Sequence, residues 1–187
     1  IADGVGVGHK TWKAFLSATE GGDGAPIHAI DRIGEGPWYD ANERLVAENI
    51  RGLMNDRPDG DPRTIDDLPD ENGVPLSELG DSHDVVTATN RDGQLYSMNP
   101  ASTCNDWTSD DGDVGGGGAR MDRVICGHSF PRMGRGGGGR NQGRHWMSDH
   151  PLRGCAPGVN LIQNGPGEGN CIGCSGGYGA LYCFALA

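Results

Sequence analysis

Two runs of four consecutive glycines, at 115–118 and 136–139, lie inside a chain of 187 residues that holds 34 glycines and 11 prolines. Held in a helix or strand, each glycine costs on the order of 1 kcal/mol relative to alanine, because it has the most backbone freedom to lose. Long regular elements are therefore not expected, and the glycine and proline content approaches that of low-complexity disorder. Against disorder stand four tryptophans, six cysteines and three apolar patches, TWKAFL (11–16), RLVAENIRGLM (44–54) and ALYCFALA (180–187). The length suits one domain over 1–187, loop-rich and stapled by disulfides.

A formal net charge of -11 repels phosphate backbones, so nucleic acid is a poor partner. No run approaches the roughly 20 apolar residues of a membrane-spanning helix, and no signal-peptide pattern opens the chain. Because the chain starts at Ile, that lack does not argue for a cytosolic protein. Cysteine use points to an extracellular or cell-surface location.

Several short elements are expected. Trp12, Ala14 and Leu16 alternate with Lys13, Phe15 and Ser17, the period of a strand covered on both faces. HAIDRI (28–33) reads as a short strand, and GPWYD (36–40) as a tight turn set by Pro37. From Asn42 the helical spacing of Leu45, Ile50, Leu53 and Met54 predicts a helix, with a strand through RLVA as its competitor. Residues 55–81 are dense in Pro, Asp and Gly and form an acidic loop. HDVVTATNRDGQLY (83–96) carries an Arg-Asp-Gly turn between two apolar arms, a hairpin pattern. A second, Gly-rich loop region spans 109–142.

Candidate chemistry is sparse. Cys171 and Cys174 form a C-x-x-C flanked by Gly-rich turns rather than the helix N-terminus that a redox pair requires. A structural disulfide is the expected use, and the competing use is a zinc site completed by Cys126 and His128. His145 and His150 flank Asp149 without the spacing of a helical metal motif, so a structural role is expected for them. No G-x-S-x-G elbow is present, and no Ser, His and Asp set suggests catalysis. The chain is expected not to be an enzyme. Asp110, Asp111 and Asp113 offer oxygen ligands of the kind calcium prefers, which makes calcium the candidate structural ion. DRPDGD, from Asp56, fails as an EF-hand loop, because Pro58 and Gly60 fall at ligand positions. Trp38, Tyr39, Trp146 and Tyr178 are the candidate ligand-binding aromatics, although loop anchoring is the more common use of such residues.

CNDWTS (104–109), GHSFPR (127–132), HWMSDHPLRGC (145–155) and GGYGALYCFA (176–185), together with TWKAFLS and DRIGEGPWYDANERLVAENI, form an ordered series. The series resembles secreted bacterial lectin-like proteins of the C-type lectin superfamily and, more distantly, the endostatin domain of collagens. The resemblance implies an α+β fold: a small, twisted antiparallel sheet, one or two short helices and long disulfide-stapled loops. It also implies a bond between Cys104 and Cys155. A loop of about 50 residues closed in this way contributes roughly 3 to 4 kcal/mol. Cys183 would pair with a cysteine on an N-terminal helix that this numbering places upstream of residue 1. Within the chain, its candidate partners are Cys126, Cys171 and Cys174, and six cysteines allow fifteen pairings. The calcium and sugar triplets of true C-type lectins are absent.

The expected function is a non-catalytic extracellular binding or adhesion module whose ligand is a carbohydrate or protein on a cell surface. The alternative is a structural subunit of a filament or surface layer, which copies of the chain would build through the Gly-rich loops and surplus cysteines.

Overall fold

The first strand and the last apolar run find each other. In the computed structural model, which describes residues 2–112, 123–132, 143–162 and 170–186, β1 (Thr11–Ala14) pairs antiparallel with β8 (Cys183–Leu186), Thr11 opposite Leu186 and Ala14 opposite Cys183. The pairing brings Phe15 and Phe184 together with Trp146 in the main core. The ring centroids of Phe15 and Trp146 are 4.9 Å apart, and Trp38 meets Phe184 edge-on at 5.7 Å. Both buried indoles keep their polar handle satisfied, as a core tryptophan must. Trp38 Nε1 donates to the Ile33 carbonyl at 3.3 Å, and Trp146 Nε1 donates to that of Leu53 at 2.8 Å.

The segment from Asn42 divides. Leu45–Ala47 forms β3, paired with β2 (Trp38–Tyr39), and only Ile50–Leu53 is helical, as α1. The predicted longer helix is thus shortened, with the strand through RLVA formed in its place. Asn49 caps α1 by accepting the Gly52 N–H, so the helix starts where a cap is available. HAIDRI is not a strand either, since Ala29–Arg32 forms a 3-10 turn. Within the acidic 55–81 loop, α2 (Pro62–Ile65) starts at the Asp61 cap, with proline at its first position. The hairpin at 83–96 is reduced to β4 (Asp84–Val86) and a single bridge, Thr89 to Leu95, around the Asn90–Gly93 turn.

A four-stranded sheet forms the centre, in the order β6 (His150–Pro151), β5 (Ile125–His128), β4 and β7 (Ala180–Leu181). It is mixed rather than wholly antiparallel, because β7 runs parallel to β4. The coarse expectation of α+β, with small, largely antiparallel sheets, few short helices and disulfides, matches this architecture. No helix among the described residues is long and apolar enough to cross a membrane.

Cys104, Asn105, Asp106 and Trp107 all have positive φ, between 51° and 67°. A left-handed turn of four non-glycine residues costs roughly 1–2 kcal/mol per residue, so its neighbours must hold it. Cys104 is bonded to Cys155, which closes a separation of 51 residues. The Asp106 carboxylate accepts both the backbone N–H and the hydroxyl of Thr19, each at 2.6 Å. Trp107 Nε1 donates to the Ser17 carbonyl at 2.9 Å. Disulfide, carboxylate and indole thus pin the turn at three points, two of them on the segment that follows β1. A second core packs round the disulfide, with Val86, Val124 and Leu152.

Burial opposes the charge on Asp106, but the hydrogen bonds from Thr19 and Thr103 outweigh it and hold the carboxyl below its ordinary value. That contribution is therefore complete above the unfolded value of about 3.9 and is lost as pH falls through the lower, folded value. Urea midpoints taken from about pH 5 down to about pH 2 should fall in the native protein, and this fall should be shallower in Asp106→Asn. Replacing Cys104 and Cys155 together by serine should lower stability by roughly 4 kcal/mol, measured by the same denaturation.

Candidate metal centre

The register of the central sheet puts four chemically active side chains on one face. Asp84 on β4 lies opposite His128 on β5, and Cys126 on β5 lies opposite His150 on β6. Directly opposed residues share a face, and so do residues two apart on one strand. Asp84, Cys126, His128 and His150 consequently converge. His83 joins them from the position just before β4. Gly176, with φ of +140°, leaves room for its ring: a Cβ there would lie 2.1 Å from His83 Cε1.

His83 Nε2, His150 Nε2 and His128 Nε2 stand 3.1, 3.0 and 3.6 Å from Asp84 Oδ1. One donor atom from each of the four residues lies within 4.8 Å of all the others. Four ligands at 2.0–2.1 Å from a tetrahedral zinc ion are separated by about 3.3 Å, and the three distances from Asp84 bracket that value. His83, Asp84 and His128 are buried, and only His150 reaches a quarter exposed.

Outer partners fix the rings. His83 Nδ1 donates to Asp81 at 2.7 Å, and Asp81 also accepts from Arg132 Nη2 at 2.8 Å. His150 Nδ1 donates to the Pro151 carbonyl at 3.2 Å. In both residues the second nitrogen, Nε2, is left to face the cluster, the arrangement that orients metal-ligating histidines. Asp149 accepts the N–H groups of Gly143, Arg144 and His145 and ends 3.9 Å from His128 Nε2. The end of β5 is held by Arg57, whose buried guanidinium donates to the carbonyls of Ile65, His128 and Ser129.

Electrostatics favour one positive charge within the cluster. Burial opposes the charge on Asp84, but His150, His83 and His128 outweigh it and hold the carboxyl below its ordinary range. Burial pushes His83 down and His128 down to about 3, which keeps both in the neutral form that ligates metals. His150 is opposed by burial but raised to about 12 by Cys126 and Asp84. A positive charge beside Asp84 is therefore favoured, whether a proton on His150 or an ion in its place. Asp84 Oδ2 and both ring nitrogens of His128 are buried with no hydrogen-bond partner. A buried polar atom without a partner costs about 1–3 kcal/mol, and an ion at the cluster would satisfy His128 Nε2.

The sequence-predicted residues fall elsewhere, with three exceptions, Cys126, His128 and His150. Cys171 and Cys174 are bonded to each other, so they cannot join Cys126 and His128 in a four-ligand zinc site. Cys126 and His128 belong to the new cluster instead. Cys126 and Cys183 are free thiols, the first buried and the second exposed. Trp38 and Trp146 are core residues, while Tyr39 is exposed and Tyr178 half-buried. A four-ring surface platform is not formed, because the two indoles are needed inside. Asp110 and Asp111 are exposed and stand apart from the cluster. Asp113 and both tetraglycine runs lie outside the described residues. The His145, Asp149 and His150 group separates: His145 Nδ1 accepts the N–H groups of Met147 and Ser148, and only His150 enters the cluster.

His83 and Asp84 escape sequence reasoning. The available signal was three short pairs, HD at 83–84, CGH at 126–128 and DH at 149–150, on separate strands or strand ends. None of the family models, curated proteins or solved structures compared with the chain matches it.

Gly176→Ala should cost about 1–3 kcal/mol, because alanine disfavours that backbone and its methyl displaces His83. Arg57→Lys should cost about 2–3 kcal/mol, since an ammonium cannot serve three carbonyls with the guanidinium's planar fork. Thermal denaturation checks both.

Proposed function

We propose that the protein is a non-catalytic extracellular binding module of lectin-like fold, organised internally by one transition-metal ion of the zinc type. The observation that carries the metal assignment is the convergence of His83, Asp84, His128 and His150, with donor atoms within 4.8 Å of one another and the buried ring nitrogens of His128 without a hydrogen-bond partner. Imidazole-rich donors suit zinc, copper, nickel or cobalt, whereas calcium takes six to eight oxygens. The cluster is the described centre, and its ion would differ from the calcium expected from Asp110, Asp111 and Asp113. Catalytic zinc sites keep an open coordination position, whereas structural ones are closed by protein. Burial of three of the four ligands supports the structural role.

In this reading the ion joins β4, β5 and β6, and the long loops outside the sheet carry whatever ligand the module takes. The two disulfides fit an oxidising compartment. Short helices, small sheets and long stapled loops support the lectin-like assignment.

Purified protein should hold one zinc per chain by elemental analysis. Zinc at about 100 times its dissociation constant should stabilise the chelator-treated protein by about 2.7 kcal/mol. Calcium should leave the melting temperature unchanged. His128→Ala and Asp84→Ala should remove the zinc-dependent shift. Absence of zinc binding in the refolded native sequence would overturn the metal assignment.

A further inference from the structure

We infer that the Cys126 thiolate joins Asp84 and His150 as a donor of this centre, making it a mixed imidazole, carboxylate and thiolate site for a thiophilic divalent ion. The inference rests on the metal reading above and adds a ligand, with its chemistry, to it.

Three observations carry it. Cys126 is fully buried and free of any disulfide, and β5 presents it on the same face as His128, opposite His150. Its Sγ lies 3.4 Å from Asp84 Oδ1 and, beside the His150 ring, 3.6 Å from Nδ1 and 3.7 Å from Nε2. Sulfur at about 2.3 Å and nitrogen or oxygen at about 2.0–2.1 Å from one zinc ion would be separated by roughly 3.5 Å. The distances to Asp84 Oδ1 and His150 Nε2 bracket that separation. His128, whose buried ring nitrogens have no hydrogen-bond partner, places Nε2 3.6 Å from the same Asp84 Oδ1.

Charge supplies the physical reason. A divalent ion held by imidazoles and one carboxylate keeps a positive charge within its own donor set, which Asp149, 3.9 Å from His128 Nε2, offsets only from outside that set, and a buried charge is expensive unless closely paired. A thiolate beside the carboxylate brings the donor set and ion to zero net charge. Without the ion, the thiol has two acceptors within reach, the His150 carbonyl at 3.2 Å and Asp84 Oδ1 at 3.4 Å. On binding, the S–H bond breaks, its electron pair stays on sulfur and forms the sulfur–metal bond, and the proton passes to solvent. No oxidant or reductant is required. A thiolate donor also sets the ion's class, because soft sulfur selects zinc or cobalt(II) over hard divalent ions.

Cobalt(II) reports both parts separately. Titration of the full chain, first freed of metal by chelator, should give visible d–d bands that saturate at one equivalent, with a near-ultraviolet thiolate-to-cobalt charge-transfer band rising alongside them. In Cys126→Ser the d–d bands should remain, the charge-transfer band should vanish, and affinity should fall by at least about tenfold. X-ray absorption of the zinc-loaded native protein should show a sulfur shell at about 2.3 Å, which decides the matter even if the serine variant fails to fold. Cobalt bands without charge transfer, or a zinc edge without sulfur, would overturn the thiolate and leave the four-residue centre intact. If neither ion binds, the centre and its thiolate both fall.

Discussion

A buried carboxylate cannot stay charged without a cation beside it, and Asp84 is the point on which the interior turns. Its strand, β4, lies between an antiparallel neighbour, β5, and a parallel one, β7, and its side chain is buried. The three histidines gathered round it are one answer to that constraint. Their positions follow from strand register: a slip of one residue between β4 and β5 would turn His128 and Cys126 to the opposite face. Sheet pairing and the electrostatics of a single aspartate are thus one constraint seen at two levels.

The remaining architecture keeps that register from slipping. Arg57, from the acidic loop, grips the carbonyls at the end of β5, and Asp149 gathers three N–H groups just before β6. Gly127, between Cys126 and His128, allows the backbone of Trp146 to approach where any Cβ would collide with it. On the opposite flank, the left-handed turn at Cys104–Trp107 is held by the Cys155 disulfide and by Thr19 and Ser17. That turn links the segment following β1 to the second core. A Cys three residues before a Trp is useful here because one staples the turn covalently while the other anchors it by hydrogen bond and packing.

Much of the frame was legible locally. The strand at Thr11–Ala14, the apolar closing run, and the turn around Asp92 and Gly93 each carry a pattern that acts over a few residues. Predictions failed where tertiary pairing overrode a local period. Leu45 to Met54 has helical spacing, yet Leu45–Ala47 pairs with Trp38–Tyr39 because that edge was available to bury Ala47. Burial, too, was misjudged from local context: Trp38 and Trp146 stand beside Pro, Gly or His in sequence, but their rings fill the main core.

By itself, the sequence determined a loop-rich chain with short elements, because glycine and proline act on their own residues and neighbours. It also supplied every donor of the centre, in three short pairs. Tertiary structure alone decided that these pairs meet, that Cys171 bonds Cys174 and leaves Cys126 free, and that His145 and His150 part company. The reason is that convergence of side chains from β4, β5 and β6 depends on register between strands some 20 to 45 residues apart. Register is a property of pairing, and no residue carries it alone.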